Sequence, residues 1–249
     1  EDQSVFDAVG SFSSVASGRI SYVFNYRGPA CSIDTACSSS LFAMHHMRME
    51  MSREMEKALA GGINIITHPR VTEQFNRAGM LSLSGRCQTL DQAADGYVRA
   101  EACVLAHFGL ACNNTTVCAL RASAANQDGR SSALTAPNGP AQRQVIDSCG
   151  YAIKFGHCFH LHGTGTPLGD PIEVNAINTV LQQANSVTSH VESSKSWIGH
   201  AEPASGIASV CYSLKQFAQC QEFGYCRLSR LNAHLETIFG FLHANRTHA

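Results

Sequence analysis

The run Ile33-Asp34-Thr35-Ala36-Cys37-Ser38-Ser39-Ser40 passes from β-branched and apolar residues through small ones into a helix-patterned segment. It constrains the chain to a strand-to-helix elbow with a single thiol at its tip. There the unpaired N–H groups of the first helical turn and the positive end of the macrodipole favour a thiolate. Two histidines lie in glycine-bearing loops further on, His162 in H-G-T-G-T and His200 in I-G-H-A-E. Together they give a Cys/His/His set with a reason for each member.

Around this set the pattern alternates. Residues 15–24 and 30–36 read as strand-like pieces about an Arg27-Gly28-Pro29 turn. From Ser38 to Lys57 the pattern is helical, with Leu41, Met44, His45 and Met47 on one face. Gly61-Gly62 introduces a short buried strand over Ile63–Ile66, and residues 68–101 are rich in turn signals. Further strands are expected at Val104–Phe108 and Val117–Ala125, and a helix at Pro140–Gly150. Asp170 is placed as the N-cap of the next helix, with Pro171 at its first position and Glu173 completing a capping box. A second loop, Ser193–Gly206, leads into a helix over Ile207–Phe217. Strands alternating with helices at this spacing imply a layered α/β domain. The one internal boundary falls near 112–116, dividing an incomplete half over 1–113, which carries the cysteine, from a half over 114–249 with both histidines.

Composition narrows the classes. With 44% hydrophobic and 15% charged residues in 249, the chain can bury a sizeable core. A formal net charge of -1 gives no electrostatic case for nucleic acid or a membrane surface. No apolar stretch approaches the roughly 20 residues needed to span a bilayer, and residues 1–15 carry no signal pattern. The 11 cysteines are odd in number and include no Cys-x-x-Cys pair, so neither a metal site nor a disulfide framework is expected. Most should be small core residues in a reducing compartment, which suits the cytoplasm. The first residue is Glu1, so the sequence reads as a processed product or a fragment, and a targeting peptide would lie out of view.

A thiol at a helix N-terminus followed by three serines is suited to accepting an acyl group. A thiolate at a helix N-terminus attacks a carbonyl, and the backbone N–H of Cys37 can face the oxyanion that forms. Glycines around His162 allow close approach to a ligand. Thr164 and Thr166 add hydroxyls suited to a polar, unbranched one. His200 is preceded five residues earlier by Lys195.

The stretches D-T-A-C-S-S-S, H-G-T-G-T-P-L-G-D-P-I-E and K-S-W-I-G-H-A-E resemble the three active-site signatures of β-ketoacyl synthases, closest to the ketosynthase domains of polyketide synthases. The likeness includes G-R-I-S-Y at 18–22, L-A-G-G-I-N at 59–64, D-G-Y-V-R-A-E at 95–101 and N-Q-D-G-R-S at 126–131. It runs in family order from about residue 10 to residue 217. The resemblance implies a thiolase-like layered αβαβα fold, here truncated at its start, and decarboxylative Claisen condensation. Cys37 would take an acyl chain from an acyl carrier protein, while His162 and His200 assist decarboxylation of a malonyl-type extender. Lys195 would charge-balance the histidines. Thr164 and Thr166 would meet the phosphopantetheine arm, the substrate carrier, with no cofactor bound directly. A homodimer is implied, with the strand before the nucleophile buried across its axis. His45 matches a family position and reads as a packed structural residue.

Several positions depart from that pattern. His160 stands where a glutamate is usual, and Ala100-Glu101-Ala102 replaces G-E-G. Trp197 replaces an asparagine, and Pro203 interrupts a run of small residues. Phe239-Gly240-Phe241 resembles the start of the family's terminal loop, which gives Phe241 a substrate-binding place, but the following glycines are gone. These changes, and the strands absent before G-R-I-S-Y, lead to the expectation of a chain that is poorly active or unstable alone. A non-catalytic, ketosynthase-like structural partner is the alternative reading, though it has no chemical need for Cys37, His162, His200 and Lys195 together. A Cys/His hydrolase has no use for the second histidine or the lysine, and H-G-T-G-T points to carrier-protein rather than coenzyme A substrates. Labelling of Cys37 by an acyl donor separates the enzyme from the scaffold.

Overall fold

Helices and strands alternate along most of the chain, but not always where residue preference places them. The computed structural model describes residues 4, 6–110, 116–133, 135–150, 158–184, 189–219, 224–236, 238, 242–243 and 246–247. Two helices come first, α1 (Asp7–Ser11) and α2 (Ser13–Phe24). The expected strand at 15–24 is therefore helix. Its β-branched and aromatic residues favour a strand only when a partner strand accepts their backbone, and none of the described strands does so. Asn25 closes α2 in the left-handed region (φ 54°), its N–H donating to the Ser21 carbonyl. Residues 30–36 likewise form no named strand and make only an isolated bridge, Thr35 to Cys37.

The elbow leads into α3 (Ser39–Glu50), which buries Ser39, Ser40, Met44 and Met47. Leu41, expected on that face, is half exposed, and the helix stops before Glu54 and Lys57. β1 (Lys57–Asn64) and β2 (Ala102–Gly109) pair antiparallel from Lys57↔Gly109 to Asn64↔Ala102. Alternation along β2 turns Val104, Ala106 and Phe108 inward and leaves Cys103, Leu105 and His107 outward. Ile63 and Ile65, expected to be buried, are exposed instead. Between the two strands a further helix, α4 (Pro69–Arg77), occupies part of the segment expected to be loop, with Pro69 at its start and the His68 side chain as its cap.

Residues 117–125 hold no strand. Side chains of α3 fix this segment: His45 Nδ1 lies 2.9 Å from Ser123 Oγ, and Arg48 donates to the Arg121 carbonyl. His45 is thus the packed residue it was read to be. α5 (Gly139–Ser148) follows, capped by Asn138.

β3 (Cys158–His160) and β4 (Ser189–Glu192) run parallel with α6 (Gly169–Gln183) as the crossover, and β6 (Leu242–His243) pairs with β4. The remaining elements are α7 (Lys195–Ile198), a 3-10 turn (Glu202–Ala204), α8 (Ser205–Gln219), β5 (Tyr225–Cys226) paired with β7 (Arg246–Thr247), and α9 (Ala233–Glu236). Leu168, not Asp170, is the N-cap of α6, and Asp170 lies inside the first turn.

Two apolar cores hold these layers. Leu161, Val174, Ile177, Leu181 and Val191 pack α6 onto β3 and β4, joined by Leu90, Tyr225 and Leu235. Met44, Met47, Ala60 and Ile207 pack α3 and α8 onto β1. Cysteine contributes little. Of the nine free cysteines described, only Cys87 is buried, and Cys31, Cys103, Cys118, Cys158 and Cys211 are exposed, against the expectation of core thiols.

One close approach sets the second core. A Cβ on Gly62 would fall 2.8 Å from Ala204 Cα and 2.9 Å from Ser40 Cβ. The bare backbone of β1 thus lets the elbow of α3 and the 3-10 turn press against it. Gly62→Ala should destabilise the fold by about 1–3 kcal/mol through overpacking, measured as a lower midpoint in chemical denaturation.

Candidate active site

The thiol-bearing elbow is held by short-range hydrogen bonds. Ala36 sits in the left-handed region (φ 54°), at a cost on the order of 1 kcal/mol for a non-glycine residue. Its N–H donates to Asp34 Oδ1 at 3.0 Å, and its carbonyl accepts from Ser39 Oγ at 2.6 Å. Ser39 Oγ also accepts from the Thr35 N–H, and Ser205 Oγ at the head of α8 donates to the Cys37 carbonyl. The serines after Cys37 therefore build the turn that presents it.

The His162 loop depends on two glycines. Gly163 and Gly165 have φ of +48° and +79°. A Cβ on Gly163 would lie 2.8 Å from Ser193 Oγ and from Thr89 Cγ2, and one on Gly165 would lie 2.6 Å from Gln88 N. From beneath, α6 supplies two buried carboxylates. Glu173 accepts from the N–H of His162 at 2.6 Å and of Gly163 at 3.0 Å. Asp170 accepts from Leu90 N–H at 2.8 Å and Gly165 N–H at 3.2 Å. Thr164 is buried in the loop. Thr166 Oγ1 accepts from Gly169 N–H, closing the turn into α6. Phe241 lies outside the described residues.

His200 is threaded between backbone neighbours. Its N–H donates to the Val98 carbonyl at 2.8 Å, and its own carbonyl accepts from Ala100 N–H at 2.9 Å. Arg99 lies in the bridged segment and grips Glu202 with two hydrogen bonds of 2.6 and 2.9 Å. The ring of Tyr97 stands edge-on to His200 at 4.9 Å. This explains three of the unusual residues. Ala100 has no positive φ and its methyl lies against Gly199, so glycine is not required there. Pro203 sits at the start of the 3-10 turn, where its missing N–H costs nothing. Trp197 donates its indole N–H to the Gly224 carbonyl at 2.8 Å.

These loops bring the three side chains together. Cys37 Sγ lies 3.1 Å from His200 Nε2, and the rings of His162 and His200 meet at 5.4 Å, nearly perpendicular. One ligand atom from each of Cys37, His162 and His200 falls within 4.8 Å of the others. Lys195, the first residue of α7, is buried beside them. The four residues come from three separate stretches of chain, and only tertiary structure unites them.

The electrostatics favour neutral groups. Burial raises the Cys37 thiol above its ordinary value, with Lys195 pulling it partly back. This corrects the expectation of a helix-stabilised thiolate: Cys37 stands two residues before the first helical residue, where the dipole no longer outweighs desolvation. Burial pushes His200 down to about 2, helped by the neighbouring His162 and Lys195 charges. His162 keeps one edge open to solvent but moves in the same direction for the same cause. Burial also lowers Lys195, while the Glu173 carboxylate opposes the shift. A thiol and two imidazoles could ligate a soft cation. The Lys195 ammonium acting on both histidines opposes a second positive charge, so the set suits acyl chemistry better.

Glu173 and Asp170 are the functional residues that sequence reading assigned to the wrong task. Their signal was present: two carboxylates three residues apart, directly after a glycine loop bearing a histidine. Tyr97, Arg99 and Glu202 lie within stretches that carry the family resemblance, but no local pattern gave them a role of their own.

Two family models match the chain, the N-terminal domain of β-ketoacyl synthase over residues 1–107 and its C-terminal domain over residues 117–221. A component protein of the phenolphthiocerol/phthiocerol polyketide synthase of Mycobacterium tuberculosis is 40% identical over 220 residues, covering 84% of this chain and 10% of that protein. Erythronolide synthase EryA2 of Saccharopolyspora erythraea is 39% identical over 215 residues, covering 82% and 6%. Among solved structures, the ketosynthase from module 6 of the bacillaene synthase of Bacillus subtilis superposes with a TM-score of 0.86 at 32% identity, over 96% of this chain and 44% of that one. The chain belongs to the β-ketoacyl synthase family and has its thiolase-like fold. It spans a tenth or less of the curated relatives named here and under half of the solved ketosynthase.

The depressed histidines make a stability prediction. A group neutral in the folded state with its pKa held far below 6.5 takes up protons only on unfolding. Its stabilisation is complete above pH 6.5 and is lost as pH falls below that value. For His200 the loss at about pH 5.5 is about 1.4 kcal/mol. Asp170, pushed up to about 7 by burial, works in the opposite sense, losing stability as pH rises through 7. Comparison with His200→Gln cancels the Asp170 contribution. Denaturation from about pH 7 to 5 should show a shallower fall in the variant than in the parent chain.

Proposed function

We propose that this chain carries out β-ketoacyl synthase chemistry of the polyketide or fatty-acid type. The observation that supports it most is the convergence of Cys37, His162 and His200 within 4.8 Å. In the first step Cys37 Sγ attacks the thioester carbonyl of an acyl group carried on the phosphopantetheine arm of an acyl carrier protein. The bond from carbonyl carbon to carrier sulfur breaks. The thiol proton passes through His200 Nε2 to the departing carrier thiolate, so no net proton is released. Burial disfavours the imidazolium, so His200 holds that proton only in passing.

In the second step a malonyl-type extender on a carrier loses CO₂, and its electron pair becomes a thioester enolate. Imidazole N–H groups of His162 and of His200, the latter after its hydrogen has shifted to Nε2, hold the enolate oxygen, placing donors where charge develops in the transition state. The enolate carbon attacks the acyl group on Cys37, the C–S bond breaks, and the released thiolate takes a proton from solvent. Lys195 balances this transient negative charge. Thr164 and Thr166 flank the path of the pantetheine arm, and Phe241 is included among the substrate-binding residues. A homodimer joined beside the segment leading to Cys37 is part of the same proposal. Free cysteines throughout the described residues suit a reducing compartment such as the cytoplasm. Among the described residues no helix is long and apolar enough to cross a membrane.

Incubation with an acyl thioester donor should add one acyl mass on the Cys37 peptide, and Cys37→Ala should abolish it. His162→Ala should leave that label in place while lowering condensation with a malonyl carrier about 100-fold or more, as for loss of an oxyanion donor. An unlabelled Cys37 in the folded chain would exclude the proposal in favour of a scaffold.

A further inference from the structure

One cluster lies outside the reacting atoms and yet joins the strand that leads to His162, the turn that carries Lys195 and the helix that follows His200. His160 ends β3, two residues before His162, and is register partner to Glu192 at the end of β4. Its Nδ1 lies 3.0 Å from Glu192 Oε1, and its Nε2 accepts from the backbone N–H of Ser194 at 3.0 Å. Ser194 immediately precedes Lys195. On the third side stands α8, the helix that follows His200. Ser213 Oγ donates to Glu192 Oε1 at 3.0 Å and lies 3.1 Å from His160 Nδ1. Ser194 Oγ meets Ser209 Oγ at 3.1 Å, and the Tyr212 ring stands edge-on to His160 at 5.7 Å.

The backbone N–H can only donate, so His160 Nε2 is the acceptor nitrogen and Nδ1 carries the hydrogen. Glu192, held below its ordinary value by His160, is the ionised acceptor of that hydrogen. The imidazole is thereby locked in one tautomer, a donor to β4 and an acceptor from the Lys195 turn. A carboxylate at position 160, the residue the family resemblance leads one to expect, would face Glu192 at this distance and could not do both.

We propose that His160 is a positioning residue for the condensing site: through the Ser194 N–H it fixes the turn that aims Lys195, and through Glu192 and Ser213 it locks that turn to β4 and α8. This rests on the ketosynthase reading for its meaning, but its test does not. Lys195 lowers the Cys37 thiol, against burial and the Glu202 charge that raise it. His200 Nε2 bonds to the same sulfur, and His162 and Tyr97 flank His200. Any drift of Lys195 therefore registers in how readily Cys37 ionises.

The experiment follows iodoacetamide alkylation of the Cys37 peptide by mass spectrometry across pH, in the whole chain. His160→Leu should move the profile to higher pH by about half a unit or more, a fall of about threefold in rate near neutrality. His160→Gln offers an acceptor and a donor at similar reach and should return the rate to within about twofold. Glu192→Gln keeps the packing and removes the charged acceptor shared by His160 and Ser213, so it should shift the profile in the same direction and serves if the leucine variant does not fold. Unmoved profiles in the folded variants, whatever their melting temperature, overturn the proposal. Failure of the parent chain to accept an acyl group would instead sink the ketosynthase reading and leave this result standing.

Discussion

The site depends on two carboxylates near the start of α6, Asp170 in its first turn and Glu173 just after it. Four backbone N–H groups, those of His162, Gly163, Gly165 and Leu90, are turned towards α6, the last two fully buried. Each of the two buried ones would cost on the order of 1–3 kcal/mol if left without a partner. Asp170 and Glu173 take all four, so the loop is bound to the helix that follows it. Because α6 is itself anchored by Val174, Ile177 and Leu181 in the core, the position of the His162 ring is inherited from hydrophobic packing. Glycine is needed at 163 and 165 because the loop must lie flush on Thr89, Ser193 and the Gln88 backbone.

Desolvation also governs the reactive groups. It raises the thiol and lowers both imidazoles, so the resting site is uncharged at Cys37, His162 and His200. A resting thiolate–imidazolium pair would bring its attraction into the ground state as well as the transition state. A neutral pair reserves the interaction for charge that develops during reaction, which is where it accelerates a step. The lysine and the acidic residues around it tune this balance without joining the reacting atoms.

Sequence reading succeeded where function imposes a local backbone requirement. The Cys37 elbow, the H-G-T-G-T loop and the helices at 139–148 and 205–219 all carry such marks, because tight turns select glycine and small polar residues at fixed places. It failed where residue preference depends on a distant partner. Residues 13–24 contain Val15, Ile20 and Val23, yet form a helix because no described strand lies beside them. Residues 117–125 hold Val117 and Leu120, yet are tied to α3 by His45 and Arg48 instead of to a sheet. Asp170 looked like a helix cap because a cap and a buried loop-holding carboxylate require the same residue at nearly the same position.

The chemical parts are written into the chain locally: one thiol at an elbow, two histidines in glycine turns and a lysine, each recognisable because its own neighbours must accommodate it. Packing in three dimensions was needed to bring Cys37 and His200 within hydrogen-bonding distance, to set Glu173 on His162 rather than on its own helix, and to turn His160 towards Glu192. Those relations join residues from 11 to 163 positions apart. Over such distances the side chains meet only through the packing of two cores, and that packing leaves no local pattern to read.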